Sequence, residues 1–127
     1  MEIGTIEGDS GTAIDGNIVY ASNAGSYNTD NGKSIATITV EGLTLLKLYI
    51  RSYAESTYDY TEAFEIDKDP IRGNGKFTTT GAQSSSTYKE CVYNLDGEIH
   101  TINIMYSKDG SGHTNDDRGY FYIGEWK

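Results

Sequence analysis

From Thr101 to Tyr106 the side chains alternate: Ile102, Ile104 and Tyr106 stand against Thr101, Asn103 and Met105. A period of two places successive residues on opposite faces of an extended strand, so one face is buried and the other meets water. The pattern recurs upstream. Ala36, Ile38 and Val40 fall together in 34–40, and Leu46, Leu48 and Ile50 share a face in 43–53. In 58–66 it sets Tyr58, Tyr60, Phe64 and Ile66 on one side, with Asp59 and Glu65 opposite. Residues that are β-branched or aromatic dominate every apolar segment, and these favour a pleated surface over a helix. No helix is expected.

Shorter strand candidates lie at 17–22, 76–80 and 86–95. Residues 1–16 are rich in Gly and Asp, and only their MEIGTIE segment suits an edge strand. Asn31-Gly32 and Glu41-Gly42 supply turn chemistry, and Asp96-Gly97, between two alternating runs, predicts a tight hairpin. Pro70 halts pairing within 67–75. Seven or eight short strands without a linker or repeat predict one domain over 1–127. The expected fold is all-β, an antiparallel β-sandwich of the jelly-roll type with about eight strands.

Nineteen acidic and ten basic residues give a formal charge of -9, which repels phosphate backbones and argues against a nucleic-acid partner. No apolar run approaches the ~18 residues of a membrane span, so no membrane insertion is expected. Cys91 is the lone cysteine and reads as a small buried thiol in a strand. The start, MEIGTIEGDSG, lacks the basic head and apolar stretch of a secretory signal. The expectation is either a removed signal or delivery within a larger assembly.

Four constellations carry chemistry. Gly8-Asp9-Ser10-Gly11 resembles the nucleophile segment of chymotrypsin-like proteases, but His100 and His113 both follow the serine, in a chain about half the length that fold needs. It reads as a turn, and no residue is assigned a catalytic role. Asp109, Asn115, Asp116 and Asp117 offer hard oxygen ligands on a glycine-bearing loop, the kind calcium takes. The spacing is not that of an EF-hand, and the same carboxylates suit a solvated turn paired to Lys108 or Arg118. Asp67 with Asp69 is a second, weaker set. Asp59, between two tyrosines, calls for a cationic partner, and Arg118 or Lys108 would serve; Asp59 with Arg118 is the expected structural pair. Of the eleven tyrosines, Tyr20, Tyr27, Tyr49, Tyr53, Tyr93, Tyr120 and Tyr122 cannot all be core, because some lie opposite the apolar face. Tyr27, Tyr53, Tyr120 and Tyr122 are the candidates for a ligand-facing set, able to stack on sugar rings or dock a subunit.

The elements Ser52, Glu55, Tyr58 and Asp59, then Asp96, Gly97, His100 and Thr101, then Tyr106 with Lys108 to Ser111, and finally Asp117 and Ile123, follow a known outline. Over roughly residues 34–124 the chain resembles the jelly-roll domains of the cleaved-adhesin and MAM-like group. Those occur in secreted bacterial adhesins and peptidases, with related modules in surface and virion proteins of gut Bacteroides and their phages. The resemblance implies binding or display rather than catalysis, at an extracellular or virion surface, sometimes with structural calcium. Two roles remain open. One is a module that binds a glycan or host-surface receptor. The other is a structural virion protein, a capsid decoration or tail-associated subunit, that packs against other subunits, including copies of itself in a homo-oligomer.

Overall fold

A computed structural model describes residues 2–7, 11–14, 17–21, 33–54, 58–65, 76–81, 83, 86–108 and 118–127, with strand backbone alone up to residue 34. Ten strands run in chain order. They are β1 (Glu2–Glu7), β2 (Gly11–Ile14), β3 (Asn17–Ala21), β4 (Lys33–Glu41), β5 (Leu45–Tyr53), β6 (Tyr60–Glu65), β7 (Phe77–Thr80), β8 (Lys89–Asn94), β9 (His100–Ser107) and β10 (Arg118–Trp126). One sheet has the order β1-β4-β9-β6-β7 and the other β2-β3-β10-β5-β8. Every described strand pair is antiparallel.

The strand orders identify the topology. Strands β3 to β10 form two four-stranded sheets, β4-β9-β6-β7 and β3-β10-β5-β8, between which the chain passes back and forth. That is the eight-stranded jelly roll. The first two strands are additions at its margins: β1 extends one sheet beside β4, and β2 extends the other beside β3. MEIGTIE is thus an edge strand as its sequence suggests, whereas β2 carries no strong alternation and was not expected.

Both sheets contribute their inner faces to one core. Ala36, Ile38 and Val40 of β4, with Ile102 and Ile104 of β9, meet Leu46, Leu48 and Ile50 of β5. Cys91 and Tyr93 of β8 and Phe121 of β10 complete the layer. The alternation in β4, β5 and β9 therefore points inward at the residues it selects. Burial in a low-dielectric interior pushes the Cys91 thiol up to about 12.

Two expectations are corrected. Asp96-Gly97 does not close a hairpin, because β8 and β9 belong to different sheets. Gly97 does supply the positive φ, 85°, that a turn there needs. Its segment bonds instead to the β4–β5 crossing: Gly42 N donates to Gly97 O at 2.9 Å, Gly97 N to Leu43 O at 2.9 Å and Leu95 N to Thr44 O at 3.0 Å. Two adjacent crossings thus close one end of the sandwich together. In β6 the faces are reversed. Asp59, Thr61, Ala63 and Glu65 are buried, while Tyr58 is exposed and Tyr60 and Phe64 are half-buried. Small and polar residues fill this part of the interior because it is hydrogen-bonded rather than greasy. Ser52 Oγ lies 2.8 Å from Thr61 Oγ1 and donates to Thr79 O at 2.9 Å. Gly119 sits against them, where an added Cβ would meet Thr61 Oγ1.

Candidate ligand-binding face

The outer face of the β8-β5-β10 region collects aromatic and cationic side chains. Strand alternation sends Tyr49, Arg51 and Tyr53 of β5 outward, since Leu48, Ile50 and Ser52 are buried. On β10 the buried Gly119 and Phe121 leave Arg118, Tyr120 and Tyr122 on the outer side. The register then places Arg118 opposite Tyr53, Tyr120 opposite Arg51 and Tyr122 opposite Tyr49. Cross-strand neighbours on one face are close enough for their side chains to meet.

They do meet. The Tyr49 and Tyr122 rings stack with centroids 4.9 Å apart and planes 11° from parallel. Tyr88, just before β8, meets Tyr122 edge-on at 4.8 Å. The Arg51 guanidinium lies 4.1 Å from the Tyr120 centroid and 5.4 Å from that of Tyr88, within cation–π range. Arg51 Nη1 also donates to Gln83 O at 3.0 Å, which anchors the head group. Gln83 is held in turn, its N donating to Ser52 O at 2.9 Å. Tyr49 donates to Glu90 Oε2 at 2.9 Å. That bond and burial beside the carboxylate hold the Tyr49 hydroxyl above its ordinary value; burial raises Tyr122 likewise. Gly124 makes the stack feasible: at the register shift between Ile123 and Glu125, a Cβ on it would lie 2.8 Å from Tyr49 Cδ2.

A second cluster sits at the closed end. His100 is buried at 5% exposure, and both its ring nitrogens face carboxylates. Nδ1 meets Glu65 Oε1, whose side chain is buried, and Nε2 lies 2.5 Å from Asp96 Oδ1, whose side chain is largely exposed. Burial opposes the charge on His100 most strongly of any single influence. Together the two carboxylates outweigh it and raise its pKa. The hydrogen bond from His100 in turn lowers Asp96.

Three of the four tyrosines singled out from sequence, Tyr53, Tyr120 and Tyr122, lie on the aromatic face. Tyr27 lies outside the described residues, as do Asp109, Asn115, Asp116, Asp117, Asp67 and Asp69 of the metal candidates and Gly8 to Ser10 of the protease-like segment. Among the described residues no group of three or more His, Cys, Asp or Glu is arranged to hold a metal ion. Asp59 is fully buried on the inner side of β6, whereas Arg118 falls with the outward residues of β10. No hydrogen bond or ion pair joins those two among the described contacts. Arg51, Tyr88 and Gly124 were missed from sequence, and Tyr49, though among the tyrosines in excess of the core, stood outside the ligand-facing four; the signal that places Tyr49 and Arg51 there is the period of two in 43–53, read for its polar side.

No family model matches the chain, and no curated protein does. A solved structure does share its fold. A secreted serine protease, VesC from Vibrio cholerae, superposes with a TM-score of 0.56 at 15% identity over 91% of this chain. The chain spans only 22% of the length of that protease chain. TmCBM61, solved in complex with beta-1,4-galactotriose, aligns over 96% of this chain and 84% of its own, with a TM-score of 0.39 and 8% identity. At 15% identity the likeness to the VesC chain speaks to the fold alone.

Proposed function

We propose that the chain is a non-catalytic module that binds glycans on its outer β5-β8-β10 face and is displayed on a bacterial or phage surface. The carrying observation is the Tyr49–Tyr122–Tyr88 cluster beside the Arg51–Tyr120 pair, anchored on a rigid sheet. Flat rings in fixed positions give a sugar ring an apolar surface at little ordering cost, while hydroxyls and a guanidinium supply hydrogen bonds. A non-catalytic role agrees with the state of His100, which is buried with both nitrogens engaged by carboxylates and so offers no base to a substrate.

A glycan array followed by calorimetric titration tests the reading. Tyr120→Ala and Tyr122→Ala are expected to weaken binding of any array ligand by about tenfold or more. Melting temperatures should stay within a few degrees of the parent. An array without specific ligands, combined with a ring or particle assembly by light scattering, would replace this reading with a structural role among other subunits.

A further inference from the structure

The proposed face is not uniform along its length. Two arginines occupy adjacent outward rungs of the β5–β10 ladder, Arg51 opposite Tyr120 and Arg118 opposite Tyr53. Both Nε atoms are buried and make no hydrogen bond. No described carboxylate forms an ion pair with either guanidinium, although the chain carries nineteen acidic residues against ten basic ones. Among the described residues, the acids of this face lie toward the other end and are engaged. Glu90 accepts from Tyr49, and Glu125 pairs with Lys47 at 3.3 Å and with Lys127 at 3.5 Å.

Two guanidiniums, neither paired with a described acid, thus stand on adjacent rungs beside flat aromatic surface. A guanidinium presents parallel N–H donors in a plane, which match the two oxygens of a carboxylate better than they match a hydroxyl. From this juxtaposition we infer that the face selects carboxylate-bearing saccharides, of the uronic or sialic acid type. Arg51 and Arg118 receive the carboxylate, and Tyr53 and Tyr120 support the ring. This inference rests on the glycan-binding reading above and names the class of sugar.

Matched ligand pairs separate the two. Oligogalacturonate is titrated beside its fully methyl-esterified form, and sialyllactose beside lactose, with a sulfated galactan oligosaccharide as a further anion. The acid member of at least one pair should bind about tenfold more tightly than its neutral mate, and lose that margin as salt rises. Arg118→Gln should bring the acid form to the neutral level while changing neutral binding by less than about twofold, whereas Arg51→Gln, whose guanidinium also serves a neutral sugar, should weaken both forms and erase the margin between them. Arg51→Lys, which keeps the charge without the planar fork, should recover only part of the margin. If Arg51→Gln fails to fold, Arg118→Gln and the ester pair carry the test. Equal binding of acid and neutral mates, an acid preference that survives both substitutions, or a preference for the sulfated ligand overturns the inference and leaves glycan binding standing. Binding of no saccharide in the panel or the array overturns both.

Discussion

Gly119 faces inward from β10 at the point where the two sheets approach across Ser52, Thr61 and Tyr106. An alanine there would set its Cβ 3.0 Å from Tyr106 Cβ and 3.2 Å from Thr61 Cγ2, with Thr61 Oγ1 closer still. None of these atoms is the free end of a flexible chain. Tyr106 Cβ is fixed by the backbone of β9, and rotation of Thr61 is restrained by its contact with Ser52 Oγ at 2.8 Å. Two effects favour the alanine: burial of a methyl, about 0.8 kcal/mol, and the loss of unfolded-chain freedom, about 0.4–1 kcal/mol. Overpacking a rigid contact opposes them by about 1–3 kcal/mol, and here backbone must move as well. With the cost toward the upper end of that range, the net expectation is a loss of about 1 kcal/mol. At about 2.1 cal/mol/K per residue, a chain of 127 residues has an unfolding entropy near 270 cal/mol/K, so the melting temperature should fall by about 4 °C. Differential scanning calorimetry reads this directly. Thr61→Ala removes both close Thr61 atoms, so Gly119→Ala made in that background should cost less than half as much. A Gly119→Ala variant that melts at or above the parent temperature would refute the reasoning.

His100 links stability to pH with a definite sign. Its folded pKa is raised above the ordinary 6.5, so its contribution is fully present below that value and is lost as pH rises through the folded pKa. Asp96 is lowered from 3.8, so its contribution holds above that value and disappears as pH falls through the folded pKa. Denaturation midpoints should therefore peak between about pH 4 and 6.5, and His100→Gln should remove the decline on the alkaline side; an identical pH profile in the variant would count against the linkage. Asp59→Ala deletes a fully buried carboxylate and should cost about 3 kcal/mol in chemical unfolding, whereas an unchanged midpoint would show that the acid holds nothing in place. Cys91, buried and raised to about 12, should not react with a thiol reagent in the native protein at pH 8 and should react fully in denaturant. Rapid native-state labelling would mean that β8 opens.

The architecture was legible where alternation and hydrophobicity agree. In β4, β5 and β9 the apolar set is the buried set, and the period of two alone decides it. β6 misled because its large aromatics look like the buried face. Yet the interior beside it is lined by Ser52 and Thr79, which accept small polar partners such as Thr61. The Asp96-Gly97 turn misled for another reason: local turn chemistry fixes the backbone angle at Gly97 but not which sheet receives the next strand. The aromatic face was half visible. Tyr120 and Tyr122 stand out within β10, but their stacking on Tyr49 and Arg51 depends on a register between segments some 70 residues apart, which no local pattern encodes.

The placement of β10 bears on how the chain is made. It lies in the middle of its sheet, between β3 and β5, although it comes tenth in chain order. A nascent polypeptide leaving the ribosome therefore carries β3 and β5 with their facing edges unmated until residues 118–126 clear the exit tunnel. Such bare edges are templates for wrong partners. Emergence of β10, rather than early collapse, is then the event that completes this sheet, and slow translation would prolong the exposure of those edges.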